Sequence, residues 1–302
     1  MLTSNIQEGF PSLHRADIAT FADAVDSLKK ENRGVLSNVF LSISELADIF
    51  VKKECFISAF EETIIVLIPY HDKYFDLLFY TSTKEHLKNA MDIFTRVIYK
   101  HDFPVRISVI GVEPLTGEIA SLLENFSFEL SKKIGRVNFT SSKNEAAEDF
   151  FSSFGKDKRK GGVKVSPSFA DLDDAQAVLD MLLEEFDLCS ENIPELDAIR
   201  ENIRKKNVVV AKKHGEIIAI CYFTIKNRIR FCIYEYTRKE YRGAGVMFYL
   251  NNFVEKYFKK NNIKLARSYG WRDVNKKRLI KIYRALGENF DGVYIYNLIF
   301  NK

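Results

Sequence analysis

The residues best suited to chemistry are Glu240-Tyr241-Arg242-Gly243-Ala244-Gly245-Val246-Met247, which stand between a predicted strand and a predicted helix. The first amides of a helix have no partner in the backbone. Glycines at 243 and 245 let the main chain approach a ligand closely, and free amides with the helix dipole behind them favour a pyrophosphate. Arg242 either organises this loop or contacts the phosphates. Taken alone, Arg-Gly-x-Gly is a weak sign, because glycine turns before helices are common. On the strand before the loop, Glu235 could accept a proton directly or through water, although its alternation with Ile233 is also that of a solvent-facing strand residue. Asp273 is a rival, expected just after a strand that ends near Gly270-Trp271.

Other chemistries find little support. His14, His71, His86, His101 and His214 are scattered, with no HxH or HExxH spacing, and no metal site is expected. Cys55, Cys189, Cys221 and Cys232 form no CxxC pair. Cys221 and Cys232 fall in apolar alternating segments, where a thiol is usually a small core residue, so a reducing compartment is expected. GxSxG and GxxxxGK[ST] are absent. Lysine and arginine total 45 against 41 acidic residues, and a net charge of +4 does not argue for a nucleic-acid or membrane partner. The longest apolar stretch, Thr63 to Tyr70, is far too short to span a bilayer, and the first residues lack the pattern of a signal peptide. We therefore expect a cytoplasmic protein.

With 302 residues, 46% hydrophobic and 28% charged, the prior is two folded domains. The elements needed to place the Arg242 loop follow from periodicity. Val163–Phe169 alternates as a strand, Leu172–Phe186 repeats at helical spacing behind Asp171, and Pro194 opens a helix to about Lys205. Strands are predicted at 208–211, Ile217–Ile225 and Ile229–Thr237. A helix follows at Val246–Lys260, a strand at Lys264–Tyr269, a helix at Asn275–Leu286 ended by Gly287, and a closing strand at Val293–Phe300. The first half gives nearly the same order. It has helices at His14–Lys30 and Ile43–Lys53, three strands between Phe56 and Tyr80, a helix at Lys84–Lys100 behind a Ser82-x-x-Glu85 capping pattern, and then strand, helix and strand to Phe139. Tandem related folds are therefore expected: residues 1–140, a polar, glycine-bounded linker at 141–162, and residues 163–302.

The second half resembles the GNAT superfamily of N-acyltransferases, whose signature is [RQ]-x-x-G-x-[GA] after the fourth strand. Arg242 and Gly245 fill its first and fourth positions, after the approach Lys239-Glu240-Tyr241. Asn275, Tyr283 and Gly287 look like the N…Y…LG pattern of the family's last helix. Two departures stand out. Met247 sits where the family usually has Gly or Ala, and Asn275 to Tyr283 is one residue longer than usual. The first half has Thr81-Ser-Thr-Lys-Glu where the cradle should recur and is expected to have lost cofactor binding.

The resemblance implies a mixed α/β fold of two tandem GNAT-like domains, each a mostly antiparallel sheet flanked by helices. It implies an N-acyltransferase that moves an acyl group from acetyl-CoA or another acyl-CoA to an amine on a small molecule or peptide. Binding would fall to Tyr236, Thr237, Arg238, Arg242, Gly243, Ala244, Gly245, Val246, Met247 and Asn275. An amide near Thr237 or Tyr236 would stabilise the oxyanion. Tyr283 would protonate the departing thiolate and Glu235 would serve as base. Two alternatives are a transferase that takes its group from acyl-carrier protein or aminoacyl-tRNA, which Met247 would suit, and a non-catalytic GNAT-like binding module.

Overall fold

Along Tyr74–Thr81 the apolar side chains alternate between two faces, so this strand must be covered on both sides. Phe75, Leu77 and Phe79 enter one core, and Tyr80, with the half-buried Leu78, enters another. This requirement for helices on both faces organises each of the two compact units into which the chain divides. The computed structural model describes residues 14–15, 17–31, 35–39, 41–60, 62–71, 73–99, 104–139, 165–188, 191–277, 280–281, 284 and 288–300.

The first unit contains β1 (His14–Arg15), α1 (Ile18–Glu31), β2 (Leu36–Ser37), α2 (Ile43–Lys52), β3 (Phe56–Phe60), β4 (Thr63–Tyr70), β5 (Tyr74–Thr81), α3 (Lys84–Ile98), β6 (Val105–Val112) and α4 (Leu115–Glu124). It also takes the start of β7 (Phe128–Phe139) and residues 293–300. Strands β3, β4 and β5 form an antiparallel meander, and β6 runs parallel to β5. Helices α1 and α2 cover one face through Phe21, Val25, Leu28 and Leu46. Helices α3 and α4 cover the other through Leu87, Met91, Phe94, Ile119 and Leu123.

The second unit follows a related order, without a counterpart of β2 or α4 among the described residues: β8 (Ser166–Phe169), α5 (Ala175–Glu185), α6 (Leu196–Arg204), β9 (Val208–Lys213), β10 (Glu216–Lys226), β11 (Ile229–Thr237), α7 (Val246–Lys260) and β12 (Arg267–Asp273). Strands β8 to β11 are antiparallel, β12 is parallel to β11, and residues 134–139 of β7 pair antiparallel with β12. Helices α5 and α6 pack on one face and α7 on the other.

Several expectations need correction. Residues 293–300 belong to the first unit, where Val293–Phe300 of β13 (Glu288–Phe300) pair antiparallel with β6. The second unit begins at Ile134. The simple cut into 1–140 and 163–302 therefore misassigns both ends. Periodicity reveals that a strand exists but carries no record of which sheet receives it. Helix α1 begins at Ile18 rather than His14, because Asp17 accepts the Thr20 amide at 2.9 Å as a cap. Helix α3 is capped by Thr83, which accepts from the His86 amide at 3.1 Å, not by the expected Ser82 box. Strand β12 continues to Asp273, three residues past the Gly270 region where its end was expected. The expected linker at 141–162 lies outside the described residues.

Candidate functional site

The loop from Arg238 to Gly245 begins with a single 3-10 turn, Lys239–Tyr241, and ends at α7. Gly243 and Gly245 have φ of +83° and +76°, a left-handed backbone that side chains strain to adopt. Gly245 is the N-cap of α7 and supplies no side-chain cap. Among the described residues, the amides of Gly243, Gly245, Val246 and Met247 donate to no backbone carbonyl. These are the orphan donors that every helix start leaves, and nothing lies within 4 Å of where a Gly243 side chain would begin. Met247 packs against the core beneath α7 with Ala244 and Tyr241. The Nε of Arg238, at the mouth of the loop, is buried without a hydrogen-bond partner among the described residues.

Arg242 turns back from this loop. Its Nε donates to the Thr237 carbonyl at 3.0 Å, its Nη2 pairs with Glu185 at 2.8 Å, and its guanidinium lies 5.3 Å from the centre of the Tyr236 ring. It therefore ties the end of β11 to the end of α5.

Strands β11 and β12 separate just where a ligand could enter. Their parallel pairing runs from Ile229/Arg267 to Cys232/Gly270 and stops. The register of β11 against β10 jumps at the same place, with Cys232 opposite Phe223 and Tyr234 opposite Tyr222, so Ile233 is an extra residue. A bulge of this kind bends a strand and re-aims its side chains. Ile233 and Tyr234 both join the core under α5 and α6, and the alternation then resumes with Glu235 on the α7 face beside Cys232.

Beyond the bulge, main-chain direction can be deduced. The Arg238 amide donates to the Ile218 carbonyl at 2.9 Å, so Arg238/Ile218 is a hydrogen-bonded pair. Alternation makes Tyr236/Ile220 the next such pair and leaves the Thr237 N–H and C=O on the opposite edge, towards the gap. Of the two amides proposed from sequence, that of Tyr236 is spent on β10 and that of Thr237 is not.

Glu235 is not a free carboxylate. It accepts from Asn251 Nδ2 at 2.8 Å and from Arg272 Nη2 at 3.1 Å. Arg272 also holds Glu288 through Nε at 3.1 Å and Nη2 at 2.9 Å. Burial pushes Glu235 up, but the Arg272 charge and the Asn251 amide outweigh it and hold its pKa below the usual value. Glu288 is pushed up to about 7, first by burial, with Arg272 opposing and the Glu235 charge adding. Sequence reading missed Asn251, Arg272 and Glu288. No pattern marked them in advance, because the strand was expected to end near Gly270-Trp271, before Arg272 is reached.

Tyr236, Thr237 and Arg238 thus border the gap, and Arg242 through Met247 form the helix start beside it. Asn275 is exposed, and its amide donates to Asp273 Oδ1 at 2.9 Å, so Asp273 is engaged at the next helix start. Tyr283 lies outside the described residues. The buried Sγ atoms of Cys221 and Cys232 lie near the Glu235 carboxylate. Arg272 and Arg230 already face that carboxylate, and this positive surrounding does not suit a cation.

No family model matches the chain, and no curated protein does. Solved structures do. A GCN5-related N-acetyltransferase from Sphaerobacter thermophilus superposes with a TM-score of 0.55 at 10% identity, over 95% of this chain and 94% of that one. A tandem GNAT protein from the clavulanic acid biosynthesis pathway gives 0.58 at 11% identity, over 93% and 94%. This chain has the tandem GNAT fold. A GCN5-related glucosamine N-acetyltransferase region of a fungal multi-domain β-N-acetylglucosaminidase gives 0.61 at 9% identity, with 95% of this chain covering 37% of that protein. No helix of the described chain is long and apolar enough to cross a membrane.

Proposed function

We propose that the second unit is an N-acyltransferase that takes its acyl group from acetyl-CoA or a related acyl-CoA and delivers it to an amine. The observation that carries this reading is the divergence of β11 and β12 after Cys232/Gly270, next to an uncapped helix start. A gap of this kind accepts the extended amide-bearing arm of the donor as a strand substitute. The amides of Gly243, Gly245, Val246 and Met247 suit its diphosphate, and the buried Nε of Arg238 is a further donor without a partner among the described residues.

In the reaction, a deprotonated amine attacks the thioester carbonyl, negative charge develops on oxygen, and the C–S bond breaks as the thiolate leaves with a proton. The Thr237 N–H is the proposed oxyanion donor. Glu235 is the proposed base and works through water, because both of its oxygens already accept hydrogen bonds. Tyr283, from its place in the family-like motif, is the proposed acid. Holding donor and acceptor together supplies much of the remaining acceleration.

The test is thermal stabilisation by acetyl-CoA, expected in the native chain and absent in Gly245→Trp. Stabilisation by acyl-carrier protein or aminoacyl-tRNA instead would move the donor to those classes. If none of these donors stabilises the chain, the enzymatic reading fails. Tyr283→Phe should lose turnover while keeping the acetyl-CoA shift, and unchanged turnover would remove the acid role.

A further inference from the structure

The first unit has the same splayed strand pair, and something already sits in it. Strand β5 pairs with β6 only at Phe75/Val105 and Asp76/Arg106, so its edge from Leu77 to Thr81 is left by β6 much as the edge of β11 is left by β12. The opposite edge of β5 is filled by β4 along its whole length. The segment between α1 and α2 occupies the vacated edge. Leu36 and Ser37 pair antiparallel with Thr81 and Tyr80. Asn38, 2% exposed, completes the coverage. Its Nδ2 donates to the Leu77 carbonyl at 2.9 Å, and its Oδ1 accepts from the Phe79 amide at 2.7 Å. A side-chain carboxamide thus supplies one donor and one acceptor to the strand, as a peptide group would.

The rest of this groove is closed in the same spirit. The start of α3, which corresponds to the start of α7, is capped by Thr83 in place of glycine. In the second unit, the corresponding segment between α5 and α6 behaves differently. The Asn192 carbonyl accepts from the Tyr234 hydroxyl, a side-chain anchor, and among the described residues no strand pairs with the β11 edge after the bulge, where the Thr237 carbonyl takes the Arg242 Nε.

We propose that residues 36–38 are a resident occupant of the first unit's donor groove, a strand with one carboxamide that takes the place of the amide-bearing arm of a thioester donor. The first unit is then built in a permanently filled form and binds no donor, so the chain carries a single donor groove. The comparison with the second unit rests on the donor reading above, whereas the filled edge of β5 does not.

Two measurements test this. The double variant Leu36→Gly/Asn38→Gly, made in the full chain, empties the edge. The capped peptide Gly-Val-Leu-Ser-Asn-Val-Phe, which is the sequence of residues 34–40, is then added. The peptide should raise the melting temperature of the variant and not of the native chain, and a peptide with leucine in place of the asparagine should not. An absent response in the variant, or an equal one in the native chain, overturns the proposal. Should the variant not fold, hydrogen exchange on the native chain decides. The amides of Phe79 and Thr81 point to the filled edge and should exchange as slowly as those of Leu78 and Tyr80, which face β4. Fast exchange of the first pair alone would mean the edge is open.

Titration with acetyl-CoA separates the two readings. One equivalent per native chain, and none in Gly245→Trp, is expected. Residual binding in Gly245→Trp would place a donor in the first unit and overturn the occupant proposal. Failure of the native chain to bind at all would overturn the donor reading of the second unit, with the peptide and exchange results still judging the first.

Discussion

Glu235 and Glu288 lie on one guanidinium, with Arg272 Nη2 donating to both at 3.1 and 2.9 Å. Two buried carboxylates that share one cation cannot both ionise without cost. Glu235 keeps the charge and Glu288 gives way, which is why their pKa values move in opposite directions.

Stability should therefore depend on pH through Glu288. Its value in the folded chain, about 7, is above the ordinary 4.5, so its contribution is fully present below 4.5 and is lost as the pH rises through about 7. Glu235 works in the other sense, stabilising above its ordinary value and losing that contribution as the pH falls through its lowered one. Urea unfolding of the native chain should show stability falling between pH 4.5 and about 7, and Glu288→Gln should flatten that fall. An unchanged slope would remove Glu288 from the account.

Arg272→Met strips both carboxylates of their cation in a buried setting. Breaking a buried pair in this way typically costs about 3–5 kcal/mol, and here adding Glu288→Gln should recover part of it. Denaturant midpoints of the single and double variants check the coupling.

In the first unit, Arg106 is 2% exposed and forms a two-pronged pair with Asp76, both bonds at 2.6 Å, while its ring-facing side lies 4.7 Å from the Tyr74 ring centre. Asp76→Asn leaves that guanidinium charged and buried, and a loss of roughly 3–5 kcal/mol is expected. A loss below about 1 kcal/mol, the range of exposed pairs, would show that water reaches the site.

Thr237→Pro removes the N–H assigned to the oxyanion while sacrificing no bond to β10, because that amide faces the gap. Turnover should fall by about a hundredfold or more with acetyl-CoA binding retained. Equal loss in Tyr236→Pro is not informative, since that substitution also breaks the sheet, so the comparison is Thr237→Ala, which should be nearly silent.

The left-handed backbone at Gly245 predicts that Gly245→Ala costs about 1 kcal/mol through strain alone. Its effect on acetyl-CoA binding should be smaller than that of Gly245→Trp, which fills the space over the loop. Calorimetric titration of both variants separates strain from obstruction.

Element order was legible from periodicity because the strands and helices have covered faces, as at Tyr74–Thr81 and Val246–Lys260. The Arg242–Gly245 loop was legible because glycine at positive φ leaves a mark in the sequence. The bulge at Ile233 was not, since an extra residue in an apolar run looks like any other. Nor was the Asn38 bridge, because one carboxamide between two helices carries no sign of the strand, 39 to 41 residues away, that it completes. Arg272 and Glu288 are 16 residues apart and meet only once β12 and β13 are in place.

The assignment of residues 293–300 to the first unit has a consequence for biosynthesis. A ribosome releases the amino-terminal half long before its closing strand exists, so β6 must wait with a bare edge through the translation of more than half the protein. Nascent chains stalled short of Val293 should accordingly be protease-sensitive in their leading half, even where the trailing half resists.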